Sequence, residues 1–396
     1  MGEALSTMIG TGAAAAGAGA PDASEVVATT ERVAAFLGPL AAARTPVVSL
    51  GPRSGLGLEC SVFVKDESRR LGQKSFKVLG GTYAAARTVA SRQSLEADSL
   101  EAVKAAVTEV TLCTASDGNH GAGLAWAAKE LGLPAAVWLP KGAVADRVET
   151  VRSLGADVRV TDLSYDDTVK LAAKTAEEKG WLLVQDTAWR GYDAVPRLIM
   201  DAYRIIAREA LEAMPRSAAP THVFVQVGVG SFAAAIVEYV VAALGRGAAT
   251  LVAVEPAGSA CLYASLRAGK TVEVADSPPT VCQGLDCGTV STLAWPVLSR
   301  ELAYACTATD AVAADGVRAL RAAGVVSGES GAAVGVGVLR ALGADGRAEK
   351  LGITAESRVL IFNTEGVTAP GVTEEILAAA PAATTPADVS VLKVSH

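Results

Sequence analysis

Histidine is scarce in this sequence, and its scarcity bears on which active sites are possible. Only three of the 396 residues are histidine. His222 leads into an apolar run and His396 is the last residue, so His120 is the one candidate for a site, although a core or capping role suits it equally well. No GxSxG elbow is present, and no His, Cys and carboxylate residues have zinc-ligand spacing. The sequence therefore gives little support to a Ser-His-Asp hydrolase or a zinc centre.

Basic excess and long apolar runs are also missing. The formal net charge is −7, whereas nucleic acids and anionic membranes attract proteins rich in Lys and Arg. No run is long enough for a transmembrane helix. The Ala- and Gly-rich beginning has neither the basic segment nor the Leu-rich core of a signal peptide. We therefore expect a flexible tail over residues 1–24, a cytoplasmic location, and no nucleic-acid or membrane partner.

The chain has many short apolar runs, and they alternate with helical patterns. They recur from about residue 107 to RVLIFN at 358–363, and WLLVQD at 181–186 is one of them. Continuous apolar runs are typical of strands covered on both faces, and their alternation with helices is typical of parallel βαβ units. The series is too long for one ordinary sheet. The sequence therefore predicts an α/β protein of two domains, each with a mostly parallel sheet flanked by helices.

In such sheets ligands bind beyond the carboxyl ends of the strands, and a lysine lies near these segments in the sequence. SFKVLGG at 75–81 places Lys77 at the start of a helix-compatible run. A helix N-terminus disfavours a further positive charge, which would keep the amine neutral and nucleophilic, as a Schiff base requires. Most lysines lie on the surface, and this segment taken alone favours that interpretation.

A glycine-rich segment, QVGVGS at 226–231, follows one apolar run and precedes a long helical pattern. Its glycines would let backbone N–H groups converge at a helix N-terminus, and Ser231 would add a hydroxyl, which suits a phosphate monoester. The segment lacks the Lys-Ser/Thr pair of a P-loop and the spacing of a Rossmann fingerprint. An ordinary strand-to-helix turn explains it equally well.

Two further loops that follow predicted strands carry carboxylates. They are ASDGNHG at 115–121 and DTAWRGY at 186–192. The first loop can present several groups to a carboxylate or phenolate oxygen: Ser116, the Gly118 and Asn119 amides, and the Asn119 side chain. Asp117 can be a helix N-cap, a general base or a partner for an ammonium group on the substrate, and Asp186 occupies the same kind of position, where a single Asp is usually a cap. Two carboxylates in such positions favour a shared pocket.

Together these segments resemble fold-type II enzymes that use pyridoxal 5′-phosphate (PLP), a group that includes threonine deaminase, cysteine synthase and the tryptophan synthase β-subunit. The closer resemblance is to the diaminopropionate ammonia-lyase family. The segments that carry it are KDES at 65–68, FKVLGG at 76–81, ASDGNHGAGLAWAA at 115–128, QDTAW at 185–189, GVGS at 228–231, VEP at 254–256, CLY at 261–263, GLDCG at 284–288, SGESGA at 327–332 and NTEG at 363–366. The lysine motif and the phosphate loop mark the fold type, and Asp117 with DTAW marks the subfamily.

The resemblance implies a homodimer whose large, phosphate-binding domain contains residues 25–82 and 215–396, with residues 83–214 as the small domain. Lys77 would hold PLP as a Schiff base, and Asn119 would bond its phenolic oxygen. The other implied cofactor-binding residues are Phe76, Gly228, Val229, Gly230, Ser231, Asn363 and Thr364. The implied substrate-binding residues are Ser116, Asp117, Gly118, His120, Asp186, Arg190 and Tyr192.

The resemblance also implies a β-elimination from 2,3-diaminopropionate. Asp117 is associated with removing the α-proton of the D-isomer and Asp186 with that of the L-isomer. Ammonia would leave Cβ, and the resulting aminoacrylate would hydrolyse to pyruvate and a second ammonia. The cofactor supplies the chemistry, and the protein supplies orientation and proton transfers.

Three residues depart from the family pattern. Arg190 stands where Glu is common and reverses a charge close to Asp186, which could alter the preference for a substrate with a side-chain ammonium. Asn363 stands where Ser commonly faces the pyridine nitrogen, so either Asn363 or Thr364 would donate to that nitrogen. Ser75 stands where close relatives tend to have Ala.

The six cysteines fit no zinc template and no small disulfide framework. Cys261 and Cys287 match positions that can both be cysteine in the resembled family. A disulfide between them at the edge of the pocket is a hypothesis, which a reducing cytoplasm opposes.

Other functions stay open beside the ammonia-lyase. A PLP-dependent serine/threonine-type dehydratase, or a β-replacement synthase that traps the aminoacrylate, would use the same residues, and Arg190 keeps this option alive. A non-catalytic protein of the same fold is the remaining possibility. The presence of Lys77, Asn119 and the GVGS loop together argues against it.

Overall fold

The computed structural model describes residues 22–52, 54, 56–215, 218–275 and 278–395. They divide into two compact units. The small unit contains the described residues up to Ala43, Phe76–Ile205 and Ser291–Leu293, and the large unit contains Arg44–Ser75, Ile206–Val290 and the described residues from Ala294 onward. The domain bounds expected from the sequence stay a prediction. Residues 1–21 of the expected tail lie outside the described residues, and the first helix begins at Ala23.

The chain forms fourteen α-helices and eleven strands within the described residues. The helices are α1 Ala23–Leu37, α2 Pro39–Ala42, α3 Lys77–Arg92, α4 Leu100–Ala106, α5 Asn119–Leu131, α6 Ala145–Ser153, α7 Tyr165–Lys179, α8 Ala194–Ala213, α9 Ser231–Leu244, α10 Cys261–Ala268, α11 Trp295–Glu301, α12 Asp310–Ala322, α13 Val334–Ala344 and α14 Pro370–Ala378. The strands are β1 Val47–Leu50, β2 Ser61–Asp66, β3 Leu112–Ala115, β4 Ala135–Leu139, β5 Asp157–Val160, β6 Leu182–Leu183, β7 His222–Gln226, β8 Thr250–Pro256, β9 Tyr304–Ala308, β10 Arg358–Asn363 and β11 Val389–Lys393.

Each unit is built on one sheet. The large unit has seven strands in the order β1-β2-β10-β7-β8-β9-β11, parallel except for β1 and β11 at the two edges. The small unit has four parallel strands in the order β5-β4-β3-β6. The interior strands β3, β4 and β7 are buried along their whole length, as their continuous apolar sequences require. The predicted α/β fold with mostly parallel sheets is confirmed.

The strand predicted over WLLVQD is much shorter in the structure than in the sequence pattern. Only Leu182–Leu183 pair with β3. The Val184 N–H still donates to the Cys113 carbonyl of β3 at 2.8 Å. After that bond, side chains become the partners of the backbone: the Val184 carbonyl bonds the His120 ring at 2.7 Å, and the Gln185 N–H donates to the Tyr192 hydroxyl at 2.9 Å. The chain therefore leaves the sheet early and brings Asp186 into a loop.

A buried ion network anchors the KDES segment in the large unit. The guanidinium of Arg70 contacts Glu67 at 2.7 Å and Glu209 of α8 at 2.7 Å, and the Lys65 ammonium also pairs with Glu209. Two cations and two carboxylates balance, which buried charges require. Asp66, which lies between Lys65 and Glu67 in the sequence, accepts a hydrogen bond from the Asn363 side chain at 2.8 Å. This bond connects β2 to the end of β10.

No helix within the described residues combines the length and the apolar character that crossing a bilayer requires.

The packing of α12 on α13 leaves no room for a side chain at Gly337. A Cβ there would lie 2.1 Å from the Val312 carbonyl oxygen, whereas at Gly343 of the same helix the nearest atom would be 3.7 Å away. We expect Gly337→Ala to lower the free energy of unfolding by about 1–3 kcal/mol, because backbone must move. Gly343→Ala is the matched control, for which the change is expected to be small or stabilising. Urea denaturation of both variants measures this, and equal midpoints would contradict the packing described.

Candidate active site

Lys77 is the first residue of α3 and lies where α3 packs closely on α5 in the small unit. A Cβ on Gly123 of α5 would come within 2.9 Å of the Lys77 carbonyl, and one on Gly81 would come within 3.1 Å of the Gly123 backbone. Only glycine permits this approach, so the two helices touch backbone to backbone. The contact brings the beginning of α3 close to α5, and α5 follows directly on the 115–121 loop.

The Lys77 ammonium pairs with the Asp186 carboxylate, and both side chains are largely shielded, with 18% and 5% of their surfaces exposed. Burial disfavours the charged form of Lys77, but the Asp186 carboxylate outweighs burial and raises the pKa of Lys77 well above its ordinary value. Burial likewise opposes ionisation of Asp186, but Lys77 outweighs it and lowers the pKa of Asp186 to about 2. The neutral amine expected from the helix position is therefore wrong here, because an ion pair is a stronger influence than the partial charge of a helix end.

Two aromatic rings border the lysine. The Phe76 ring lies 4.6 Å from the Tyr203 ring, centroid to centroid, and the Lys77 amine lies 5.3 Å from the Phe76 centroid. Tyr203 is fully buried, and a Cβ on Gly80 would come within 2.5 Å of its ring. Sequence reasoning named Phe76 but missed Tyr203, which lies in the middle of the amphipathic helix α8 and has the pattern of an ordinary core residue.

The 115–121 loop is organised by the Ser116 hydroxyl. This oxygen accepts hydrogen bonds from the Gly118 N–H at 2.9 Å and the Gly121 N–H at 2.8 Å, so it satisfies the beginning of α5. Asn119 is the first residue of that helix. Ser116 was predicted to bind substrate; its buried hydroxyl accepts from two backbone groups in this structure, and the substrate role stays a prediction. Its remaining possible bond is to the Asp117 carboxylate, at 3.5 Å.

Asp117 has a cationic neighbour that the sequence did not indicate. The Arg147 guanidinium lies 3.7 Å from the Asp117 carboxylate; 2% of the Arg147 side chain is exposed and 25% of the Asp117 side chain. A Cβ on Gly118 would lie 2.8 Å from the Arg147 side chain, so Arg147 packs directly on this loop. Arg147 lies in α6, whose other charged residues are solvated, and its sequence pattern does not distinguish it from them.

The 186–192 loop is a tight turn with an exposed tip. Trp189 and Tyr192 exchange backbone hydrogen bonds at 3.2 and 2.9 Å, and their rings stack at 4.4 Å. The Tyr192 hydroxyl accepts from the Gln185 N–H and donates to the Leu183 carbonyl, so it braces the loop. Arg190 is exposed at the tip. Of the predicted substrate-binding residues here, Arg190 is open to solvent and the Tyr192 hydroxyl is used by the backbone.

The GVGS segment of the large unit forms a cradle at the N-terminus of α9. Gly230 has φ +94°, and a Cβ there would lie 2.9 Å from the Ala294 Cβ. A Cβ on Gly228 would lie 3.2 Å from the Cys287 sulfur. Val229 lies between the two glycines, and Ser231 is the first residue of α9 and is buried. A loop that only glycine can form, leading into a fourteen-residue helix, is well suited to bind a phosphate through backbone N–H groups.

Asn363 and Thr364 differ in how many protons they have left to donate. The Asn363 amide donates to Asp66 at 2.8 Å and to the Val326 carbonyl at 2.9 Å, so both of its N–H groups are used. The Thr364 hydroxyl accepts from the Gln226 amide at 2.7 Å, and its one proton points to the Ser330 carbonyl at 3.3 Å. A contact of that length is weak for a hydroxyl, so the Thr364 proton can be redirected.

Two cysteines, Cys261 and Cys287, lie beside the cradle. The Cys261 sulfur is 3.6 Å from the Gly228 carbonyl oxygen, and Cys287 lies against the same glycine. A disulfide between them stays a hypothesis.

The chain is similar to known proteins along most of its length. The chain matches the family model "Pyridoxal-phosphate dependent enzyme" over residues 39–364. It is 39% identical over 349 residues to the diaminopropionate ammonia-lyase of Salmonella typhimurium, covering 83% of this chain and 85% of that protein. The crystal structure of holo diaminopropionate ammonia lyase from Escherichia coli matches with a TM-score of 0.81 and 36% identity, covering 89% of this chain and 92% of that one. A complex of the Escherichia coli enzyme with an aminoacrylate-PLP azomethine reaction intermediate matches with a TM-score of 0.79 over the same shares.

Removal of the Asp186 charge tests the ion pair with Lys77. In Asp186→Asn we expect the pKa of Lys77 to fall, because burial of the charged amine then loses its largest opponent and is opposed only by Tyr203 and Asp117. The pH dependence of Lys77 modification by an amine-reactive reagent, read by peptide mass spectrometry, measures this in the cofactor-free protein. Asp167→Asn, which removes the partner of exposed Lys170, is the control. Identical Lys77 titrations in wild type and Asp186→Asn would contradict the pairing.

Proposed function

The chain belongs to the diaminopropionate ammonia-lyases, within the pyridoxal-phosphate dependent enzymes, and we propose that it converts 2,3-diaminopropionate to pyruvate and two molecules of ammonia. One observation carries the proposal at residue level. In the small unit the Lys77 amine lies beside the Asp186 carboxylate, and the Asp117 loop leads into the helix on which the backbone of Lys77 packs. A nucleophilic amine with two candidate bases is what elimination from both isomers of an amino acid requires.

The cofactor is pyridoxal 5′-phosphate, and the residues present fit it. We assign attachment to the Lys77 amine, the phosphate to the backbone N–H groups and hydroxyl of the 228–231 loop, and the phenolic oxygen to Asn119. When bound, PLP accepts the electron pair left at Cα, which is what permits loss of the β-amino group. To bond the cofactor, Lys77 must first lose a proton, which the adjacent Asp186 carboxylate can take; Asp186 must pass that proton on before it can act as a base toward substrate.

Thr364 is the residue we assign to the pyridine nitrogen. Gln226 occupies one lone pair of the Thr364 hydroxyl and leaves its proton free to turn to a better acceptor than the Ser330 carbonyl. Asn363 holds the strand end in place through Asp66 and Val326. A neutral donor leaves the ring nitrogen mostly unprotonated, which favours elimination over transamination.

The two carboxylates are assigned to opposite isomers. Asp117 takes the α-proton of the D-isomer and Asp186 that of the L-isomer. The two carboxylates lie on separate backbone segments, Asp117 just before α5 and Asp186 after β6. A base correctly placed at Cα contributes about 10²–10⁴-fold to the rate.

Product analysis with purified protein tests the function. With D- or L-diaminopropionate we expect pyruvate and ammonia in a ratio of one to two, whereas serine would give one to one, and a β-replacement synthase would give little pyruvate. Asp117→Asn should lower turnover of the D-isomer, and Asp186→Asn that of the L-isomer, each by at least about 100-fold. Lys77→Ala should remove activity on both. Equal losses on both isomers in each Asp variant would end the two-base assignment, and turnover confined to serine or threonine would favour a dehydratase.

Arg190 provides a separate test of substrate preference. Its exposed positive charge repels a substrate that carries a side-chain ammonium. We expect Arg190→Glu to lower the KM for diaminopropionate severalfold at low salt and to leave the KM for serine nearly unchanged. Lys170→Glu makes the same charge change on an exposed helix and serves as control. The effect should shrink at high ionic strength, and an equal change for both substrates would exclude the electrostatic explanation.

The homodimer and the cytoplasmic location expected from the sequence remain part of this proposal, and gel filtration with light scattering measures the first of them.

A further inference from the structure

His120 is a buried titratable residue for which the reaction described so far has no use. It is the second residue of α5, with 1% of its surface exposed, and it was predicted to contact substrate. The structure places its ring between the Val184 backbone and the Asp186 carboxylate. The Asp186 carboxylate is therefore the reactive group that His120 can influence.

One contact fixes the protonation of the imidazole. The Nε2 atom lies 2.7 Å from the Val184 carbonyl oxygen, which can only accept, so Nε2 carries a proton. Burial lowers the pKa of His120, which makes the ring neutral at physiological pH. A neutral imidazole has one proton, and Nδ1 must therefore be a bare acceptor.

The His120 Nδ1 acceptor faces a second acceptor, a carboxylate oxygen of Asp186. His120 Nδ1 is buried, has no hydrogen-bond partner, and lies 3.8 Å from the Asp186 oxygen that also pairs with Lys77. Two lone pairs that face each other repel, unless a proton comes between them. Asp186 acquires that proton when it acts as a base, and a movement of about 1 Å then gives a normal hydrogen bond.

We propose that His120 is a positioning residue whose Nδ1 accepts a hydrogen bond from the protonated Asp186 carboxyl during elimination from the L-isomer. The inference rests on the proposed function and on Asp186 as the base of that isomer. The other charged groups near the ring are Lys77 and Asp117. The Lys77 ammonium favours the Asp186 carboxylate and thus opposes protonation, whereas His120 favours the protonated carboxyl once the lysine charge is gone.

Two substitutions separate this role from a structural one. Gln at position 120 can keep a donor for the Val184 carbonyl but has no acceptor at the Nδ1 position. Asn can place an acceptor at the Nδ1 position but is too short to keep the donor for the Val184 carbonyl. We expect His120→Gln to lower kcat for the L-isomer about 10–100-fold, with less than about threefold change for the D-isomer. His120→Asn should retain more L-isomer turnover than His120→Gln. The reverse order, or equal losses on both isomers, would overturn the proposal.

The same experiment separates failure of this inference from failure of the function. Wild type that releases no pyruvate from either isomer would refute the proposed function. Active wild type in which Asp186→Asn affects both isomers equally would refute the base assignment. If both of these hold and His120→Gln lacks selectivity for the L-isomer, only the role of His120 is refuted.

A measurement without turnover keeps the proposal testable even if the variants fail to fold. The chain has three histidines, so ¹⁵N-histidine labelling gives a simple spectrum. His222→Gln and His396→Gln assign the other two rings. We expect His120 in wild-type protein at neutral pH to show a protonated Nε2 and an unprotonated Nδ1. A proton on Nδ1, or on both nitrogens, would overturn the proposal.

Discussion

The close approach of α3 and α5 is the constraint on which the small-unit site depends. Gly81 and Gly123 remove the side chains that would otherwise separate the helices, and the Lys77 carbonyl comes to rest against Gly123. A methyl group at Gly123 would have to displace backbone rather than a flexible side chain. Asp117 lies just before α5 and His120 is the second residue of that helix. A change in the distance between α3 and α5 would therefore move both residues relative to Lys77.

Asp186 enters this arrangement because the chain leaves the small sheet after two residues of β6. The backbone there is held by side chains, with His120 bonding Val184 and Tyr192 bonding Gln185. The residues that hold the loop also define the surroundings of the carboxylate. The local structure and the surroundings of Asp186 are thus fixed by the same contacts, and Tyr192 contributes to them by bracing the loop.

Sequence reasoning predicted the strand-end loops, the lysine at a helix start and the two carboxylates, because turn glycines, apolar runs and helix starts are local signals. It misjudged what depends on contacts between residues distant in sequence. Lys77 was expected to be neutral, but a carboxylate 109 residues away keeps it charged. Arg147 resembles the solvated residues of its helix and lies instead against Asp117. Asn363 was expected, beside Thr364, as a donor to the pyridine nitrogen, and the sequence did not show that Asp66 on the neighbouring strand accepts one of its protons.

The two carboxylates that we propose as bases, Asp117 and Asp186, differ in their exposure to water and in their charged or polar neighbours. Asp117 is a quarter exposed, so water can reach it, and the Arg147 guanidinium lies 3.7 Å from its carboxylate. Asp186 is almost fully shielded from water. The Lys77 ammonium beside it opposes protonation of the carboxylate, whereas the His120 Nδ1 atom can accept a hydrogen bond from the protonated carboxyl. A base without access to water needs an internal partner for its proton, whereas a solvated base does not. This asymmetry explains why a bare imidazole nitrogen lies beside one aspartate and an arginine beside the other, although both are assigned the same step on mirror-image substrates.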